Sequence, residues 1–169
     1  MNLKNLVVLI AALFIVTACE STSTETGNAA GGGGDTSKGG KKSQQGFSIA
    51  PGSSQDLVVN VGDRVFYALN KSSLNAGART TLEKQAAWLK KYGSVKVMVE
   101  GHADERGTRE YNLALGERRA NAAKDFLVAL GVSPNRVKTI SYGKERPVAL
   151  GHDSSSWSQN RRGVTIVAK

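Results

Sequence analysis

Two residues in this 169-residue sequence have the type and setting to do chemistry together: Asp104 in a glycine-bounded loop and Arg119 on the apolar side of a helix. The loop Gly101-His102-Ala103-Asp104-Glu105-Arg106-Gly107-Thr108 crowds two carboxylates between residues that free the backbone. At about 100° per residue, Leu115, Ala122, Ala123, Phe126 and Leu130 of the following helix form one stripe, with Arg119 near its middle. A lone buried guanidinium is very costly, so Arg119 must be paired or line a pocket. It lies two turns into the helix that the Asp104 loop begins, so both groups can face one cleft. An anion clamp and a cation clamp in one cleft suit a zwitterion. Arg119 can grip a carboxylate through two parallel N–H bonds, which lysine cannot imitate. Asp104 can accept from an ammonium group. Two alternatives stand beside this reading: an internal Asp104–Arg119 salt bridge with no ligand, and an Arg119 that snorkels to solvent.

Other arrangements are weaker. His102 with Asp104 and Glu105 has poor spacing for a closed zinc site, and a structural, hydrogen-bonding histidine is the simpler role; His152 reads the same way. Asp104 and Glu105 as the acid and base of a hydrolase would be adjacent, and adjacent loop residues rarely flank one bond from both sides. No nucleophile–base pair presents itself. One cysteine excludes an intramolecular disulfide and any multi-cysteine metal site. We therefore expect no catalytic residue, metal or cofactor. Trp88 and Trp157 read as core or edge packing.

The elements that must position the cleft alternate between strand and helix signals. Val65 to Leu69 reads as a first strand, and Ala78, Leu82, Ala86 and Leu89 recur at helical spacing between Asn75 and Tyr92. Valines at every second place make Val95–Glu100 a half-buried strand, whose carboxyl end carries the Asp104 loop. Tyr111 to Leu130 is a second helix, closed by Gly131. Val137 to Tyr142 and Val164 to Ala168 are strands, separated by a loop holding Pro147 and Trp157. The expected fold is α+β, β-α-β-α-β-β, a mixed sheet with two helices packed on one face.

The front of the chain is different in kind. Residues 1–18 combine Lys4, an apolar run from Leu6 to Val16 and small residues, too short to cross a hydrocarbon core of ~30 Å. They read as an export signal. Val16-Thr17-Ala18-Cys19 resembles a bacterial lipobox, which makes Cys19 the expected site of acylation and the anchor to membrane lipid. Glu20, rather than Asp, after it favours sorting to the outer membrane. Residues 19–55 are rich in Ser, Thr, Gly, Asn and Gln, and read as a flexible tether spanning roughly 35 Å on average. The folded domain is expected over 56–169.

At four segments a family becomes recognisable. They are the 101–108 loop, Glu110-Tyr111-Asn112-Leu113-Ala114-Leu115-Gly116-Glu117-Arg118-Arg119-Ala120, Ser141-Tyr142-Gly143-Lys144-Glu145-Arg146-Pro147, and Asn160-Arg161-Arg162. Together they resemble the OmpA-like peptidoglycan-binding domain, and within it the peptidoglycan-associated lipoproteins of the Tol–Pal system. The resemblance implies a ligand, the diaminopimelate of peptidoglycan stem peptides, whose free end is a zwitterion. It implies that Asp104 and Arg119 grip that end, and that Leu69, Asn70, Ala103, Thr108 and Leu115 wall the pocket. Asn70 departs from the family's usual Asp. Asn160-Arg161-Arg162 reads as a brace beside the pocket. TolB and TolA are the implied protein partners, and the implied place is the periplasmic side of the outer membrane, which the protein would keep attached during constriction at division. A formal charge of +9 suits anionic wall polymers better than nucleic acid, because the basic residues are spread rather than striped.

Overall fold

The computed structural model describes residues 48–168. The expected signal at 1–18, Cys19 and most of the 19–55 tether lie outside the described residues. A short helical turn, α1 (Ser54–Asp56), runs into a π-helical stretch, Leu57–Val61. Then follow β1 (Arg64–Phe66), α2 (Ala76–Lys91), β2 (Val97–His102), α3 (Arg109–Ala129), a 3-10 turn (Pro134–Arg136), β3 (Val137–Gly143), α4 (Ser154–Asn160) and β4 (Arg162–Val167). The sheet order is β1-β4-β2-β3, with β2 and β3 parallel and the other pairs antiparallel.

The α+β architecture forms as the periodicity predicts. Asn75 caps α2 by accepting from the Ala78 N–H, and Ala78, Leu82, Ala86 and Leu89 bury one stripe of that helix. Val65, Val97, Val99 and Val137 of the sheet share one core with that stripe and with Ala120, Ala123 and Leu127 of α3. Both long helices therefore cover the same face.

Five points differ from expectation: β1 stops at Phe66 instead of running to Leu69, because the chain turns between Ala68 O and Lys71 N, and four more follow. Ordered structure reaches back into the segment expected as tether: Ser53 caps α1, and the Asp56 carboxylate accepts from Gly52 N, Asn60 Nδ2 and Trp88 Nε1. Strand β2 continues through Gly101 and His102, which pair with Ser141 and Gly143 of β3. The loop expected before the last strand contains α4, capped by Asp153 accepting from the Ser156 N–H. Its serine-rich sequence has no apolar period to announce it. Finally, the buried face of α3 is Asn112, Leu115, Gly116, Arg119, Ala120, Ala123 and Leu127. It is rotated from the expected stripe, although Arg119 remains on it.

That rotation follows from a glycine pair. A Cβ on Gly101 would land on the carbonyl oxygen of Gly116, and one on Gly116 would meet Ser141 Oγ and, at 2.8 Å, Gly101 O. The absence of both lets α3 lie directly on β2, which sets Arg119, one turn further on, beside the strand's carboxyl end.

His102 departs from its expected hydrogen-bonded role. It is 2% exposed, its ring lies 5.6 Å from that of Tyr142, and among the described residues neither ring nitrogen has a hydrogen-bond partner. Glu100 Oε2 stands 3.6 Å from its Nε2. Burial, with the charges of Arg162 and Arg146, holds the imidazole pKa down to about 4. The unfolded chain thus takes up a proton that the folded one refuses. Stability is complete above the ordinary histidine pKa and falls as pH drops towards 4.

Two measurements test these points. Gly101→Ala should cost about 3 kcal/mol in urea unfolding, whereas Gly93→Ala, with open space around its Cβ, should stay within ~0.5 kcal/mol. His102→Phe should lose less stability than wild type between about pH 7 and about pH 4.5, by on the order of 2 kcal/mol. Identical acid limbs would contradict the buried, unpaired imidazole.

Candidate functional site

Arg119 is 0% exposed, and its guanidinium is occupied by backbone. Nε donates to Lys71 O at 2.9 Å, Nη1 to His102 O at 2.7 Å and Nη2 to Ala68 O at 3.1 Å. Three of its five N–H donors are thereby spoken for. The Tyr67 hydroxyl donates to Arg119 O at 2.7 Å, and the guanidinium carbon stands 5.3 Å from the Tyr67 ring centre. Burial lowers the Arg119 pKa to about 10, against the opposing influence of Tyr67 and Asp104, so the side chain stays a cation at neutral pH. It neither snorkels nor presents an open fork to solvent: the turn Ala68–Lys71 lies over it.

That turn has its own requirement. Lys71 N donates to Ala68 O at 3.2 Å, and Asn70 sits at φ 55°. Asn and Asp are the non-glycine residues that best tolerate this left-handed region. Asn70 is therefore suited to this backbone. Leu69, beside it, is 47% exposed.

Asp104 is 4% exposed and likewise engaged. Oδ2 accepts from Arg106 Nη2 at 2.6 Å and Arg161 Nη1 at 3.2 Å; Oδ1 accepts from Arg106 N at 3.2 Å and Arg106 Nε at 3.3 Å. Desolvation works to raise its pKa, but the hydrogen bonds from Arg106 and Arg161 leave it below the usual carboxylate range. Among the described residues its ion-pair partners are these two arginines and not Arg119, so the internal Asp104–Arg119 bridge does not form. The two groups are nonetheless neighbours. Arg119 holds the carbonyl of His102, two residues before Asp104, and the Asp104 charge acts on it.

Of the residues expected to wall a pocket, Ala103 is buried and donates its N–H to Gly143 O, and Leu115 is buried on α3 four residues before Arg119. Thr108 closes the loop by capping α3, accepting from the Tyr111 N–H at 3.2 Å. Asn160 braces the neighbouring loop, accepting from the N–H groups of Val148 and Ala149 and donating to Ala149 O.

Arg161, read from the sequence as a brace, lies beside Asp104 together with three residues given no such role there: Arg106, Trp157 and Tyr67. Arg161 ties Tyr67 O to Asp104. Arg106 lies with its guanidinium carbon 4.1 Å from the centre of the Trp157 ring, and Trp157 Nε1 donates to Glu105 Oε1 at 2.7 Å. Tyr67 secures Arg119. Arg106 was within reach of sequence reasoning, being two residues from Asp104 in the same loop. The bracing place of Arg161 was read from the resemblance, but its bond to Asp104 and that of Trp157 to Glu105 were not, since only the fold brings them across more than fifty residues. Trp157 is thus tied to the Asp104 loop by a hydrogen bond and a stacked guanidinium rather than being simple packing. His152 Nδ1 lies 2.7 Å from Glu105 Oε2.

Chemically the arrangement holds charges rather than moving protons. A general acid needs a raised carboxyl pKa. Here the Asp104 and Glu105 carboxyls are both lowered, Glu105 by hydrogen bonds from Trp157 and His152. Among the described residues no group of three or more His, Cys, Asp or Glu is placed to hold a metal.

Comparisons with known proteins give the family. The sequence profile of the OmpA family matches residues 66–161. The peptidoglycan-associated lipoprotein of Mesorhizobium japonicum is 64% identical over 118 residues, 70% of each chain. That of Pseudomonas aeruginosa is 40% identical over 154 residues, 91% of this chain and 90% of the relative. The crystal structure of the peptidoglycan-associated lipoprotein from Burkholderia pseudomallei superposes with a TM-score of 0.61 at 40% identity, covering 63% of this chain and 90% of that one. The chain belongs to the OmpA family and, within it, to the peptidoglycan-associated lipoproteins.

Proposed function

We propose that this protein is a non-catalytic tether that joins the outer membrane to the cell wall. Acylated Cys19, exposed by removal of residues 1–18, holds the lipid end. The segment from Cys19 to the ordered turn at Gly52 gives reach, and the folded domain binds peptidoglycan. The ligand is the zwitterionic end of a diaminopimelate side chain in a stem peptide, with its ammonium on Asp104 and its carboxylate on Arg119. Leu69, Asn70, Ala103, Thr108 and Leu115 wall the cleft. TolB and TolA are the protein partners, and the cellular role is to keep the outer membrane attached as the cell constricts.

One observation carries this reading: a buried carboxylate and a buried guanidinium are held within two residues of the same strand end. Both are engaged by groups that resemble the ligand's own. Carbonyl oxygens of the 68–71 turn sit on Arg119 as carboxylate oxygens would, and the Arg106 guanidinium sits on Asp104 as an ammonium would. Binding is then an exchange of partners, with the 68–71 turn giving way to the carboxylate. An exchange gains little net free energy per site, which suits a reversible contact repeated along the envelope.

Sedimentation of the full-length chain with purified sacculi tests this. Asp104→Asn and Arg119→Lys should each weaken binding about tenfold or more, the loss of one charge-assisted contact. Circular dichroism should show both still folded. Wild-type sedimentation by a folded Asp104→Asn protein would overturn the assignment.

A further inference from the structure

Asp104 is hemmed in by cations from two directions that differ in how freely they can leave. Arg161 is only 15% exposed in its side chain and is tied at Nε to Tyr67 O, so it belongs to the framework. Arg106 is 38% exposed in its side chain. It grips both carboxylate oxygens, and among the described residues every hydrogen bond to Oδ1 comes from Arg106. Gly107, at φ 92°, follows it directly. On its far side Arg106 lies on the Trp157 ring, and Trp157 is fixed in turn by its N–H on Glu105. The layers run Asp104, Arg106, Trp157.

Resting on the wall-binding reading above, we infer that Arg106 is a resident competitor. Its guanidinium occupies the place on Asp104 that the ligand's ammonium takes, and Trp157 holds it there. Occupancy of the carboxylate calls for such a step: Arg106 N and Nε are on Oδ1, and Arg106 Nη2 and Arg161 Nη1 are on Oδ2, so an incoming ammonium finds its place once the Arg106 guanidinium leaves. When the Arg106 guanidinium swings away, Asp104 keeps Arg161 on Oδ2 and the Arg106 backbone N–H on Oδ1, and the positions that Nε and Nη2 held are open to the incoming ammonium. The departing guanidinium enters water, where a partly exposed side chain is readily solvated. Arg106 thereby sets how tightly the wall is held, and Trp157 sets how readily Arg106 leaves.

Fluorescence titration of the full-length chain with a diaminopimelate-containing muropeptide decides the matter. Arg106→Gln should bind about fivefold more tightly than wild type, the scale of one partly exposed ion pair lost from the competing state. Wild-type tryptophan emission should change on binding as the guanidinium leaves the Trp157 ring. That change should vanish in Trp157→Phe, where Trp88 remains, and in Arg106→Gln, where no guanidinium departs. Weaker or unchanged binding by Arg106→Gln, beside a binding wild type, overturns the competitor role alone and would make Arg106 a ligand contact or a bystander. A wild type that does not bind the muropeptide overturns the wall-binding reading and this inference with it.

Discussion

A guanidinium with no water around it must find all its partners inside the protein, and at Arg119 those partners are carbonyl oxygens from two separate segments. Ala68 and Lys71 belong to the turn after β1, and His102 ends β2. A buried cation that lost them would cost several kcal/mol, so the turn, the strand end and α3 are fixed relative to one another by one side chain. Tyr67 adds a clasp from below by donating to the Arg119 carbonyl. The Gly101–Gly116 contact makes the approach possible, because any side chain there would push α3 away from β2. The position of the Asp104 loop follows from this geometry, since it leaves the same strand two residues after the carbonyl that Arg119 holds.

Much of this was legible in the sequence. The four-residue spacing of Ala78, Leu82 and Ala86 and the alternating valines of β2 are direct consequences of helix and strand periods, and they gave the two-layer α+β architecture. Arg119 was recognisable as a buried arginine because it interrupts an apolar stripe. Its partners were not recognisable, because backbone carbonyls carry no residue signature. The rotation of α3 was hidden for a related reason: Gly116 reads as a weak helix residue, and only Gly101 on the facing strand reveals it as a contact point. Asp104 was expected as a site residue, yet its second cation, Arg161, and the Trp157 ring under its first, Arg106, arrive only through tertiary folding. His102 shows the limit most clearly, since a histidine in a polar loop gives no hint that its ring is dry and unpaired.

The same crowding of charge separates this site from an enzyme's. Catalytic carboxyl pairs work by holding one member protonated near neutral pH, whereas hydrogen bonds from arginine and tryptophan keep Asp104 and Glu105 ionised. What the site offers is a fixed arrangement of opposite charges, each satisfied by a group that a zwitterion can imitate. That is the physics of recognition by exchange, and it fits membership of a family of peptidoglycan-associated lipoproteins.

The central claim is that a wall zwitterion enters between the 68–71 turn and the Asp104 loop. Nitrogen-edited NMR of the full-length chain, titrated with a diaminopimelate-containing muropeptide, tests it most directly. The account predicts that the Arg119 side-chain N–H signals and the amides of residues 68–71 and 103–106 move first and furthest. A cavity of about 360 Å³ between α3 and β3, lined by Arg109, Leu113, Tyr142 and Glu145 among others, offers the contrasting location. Shifts confined to those residues, with Arg119 and the 68–71 turn unmoved, would contradict it.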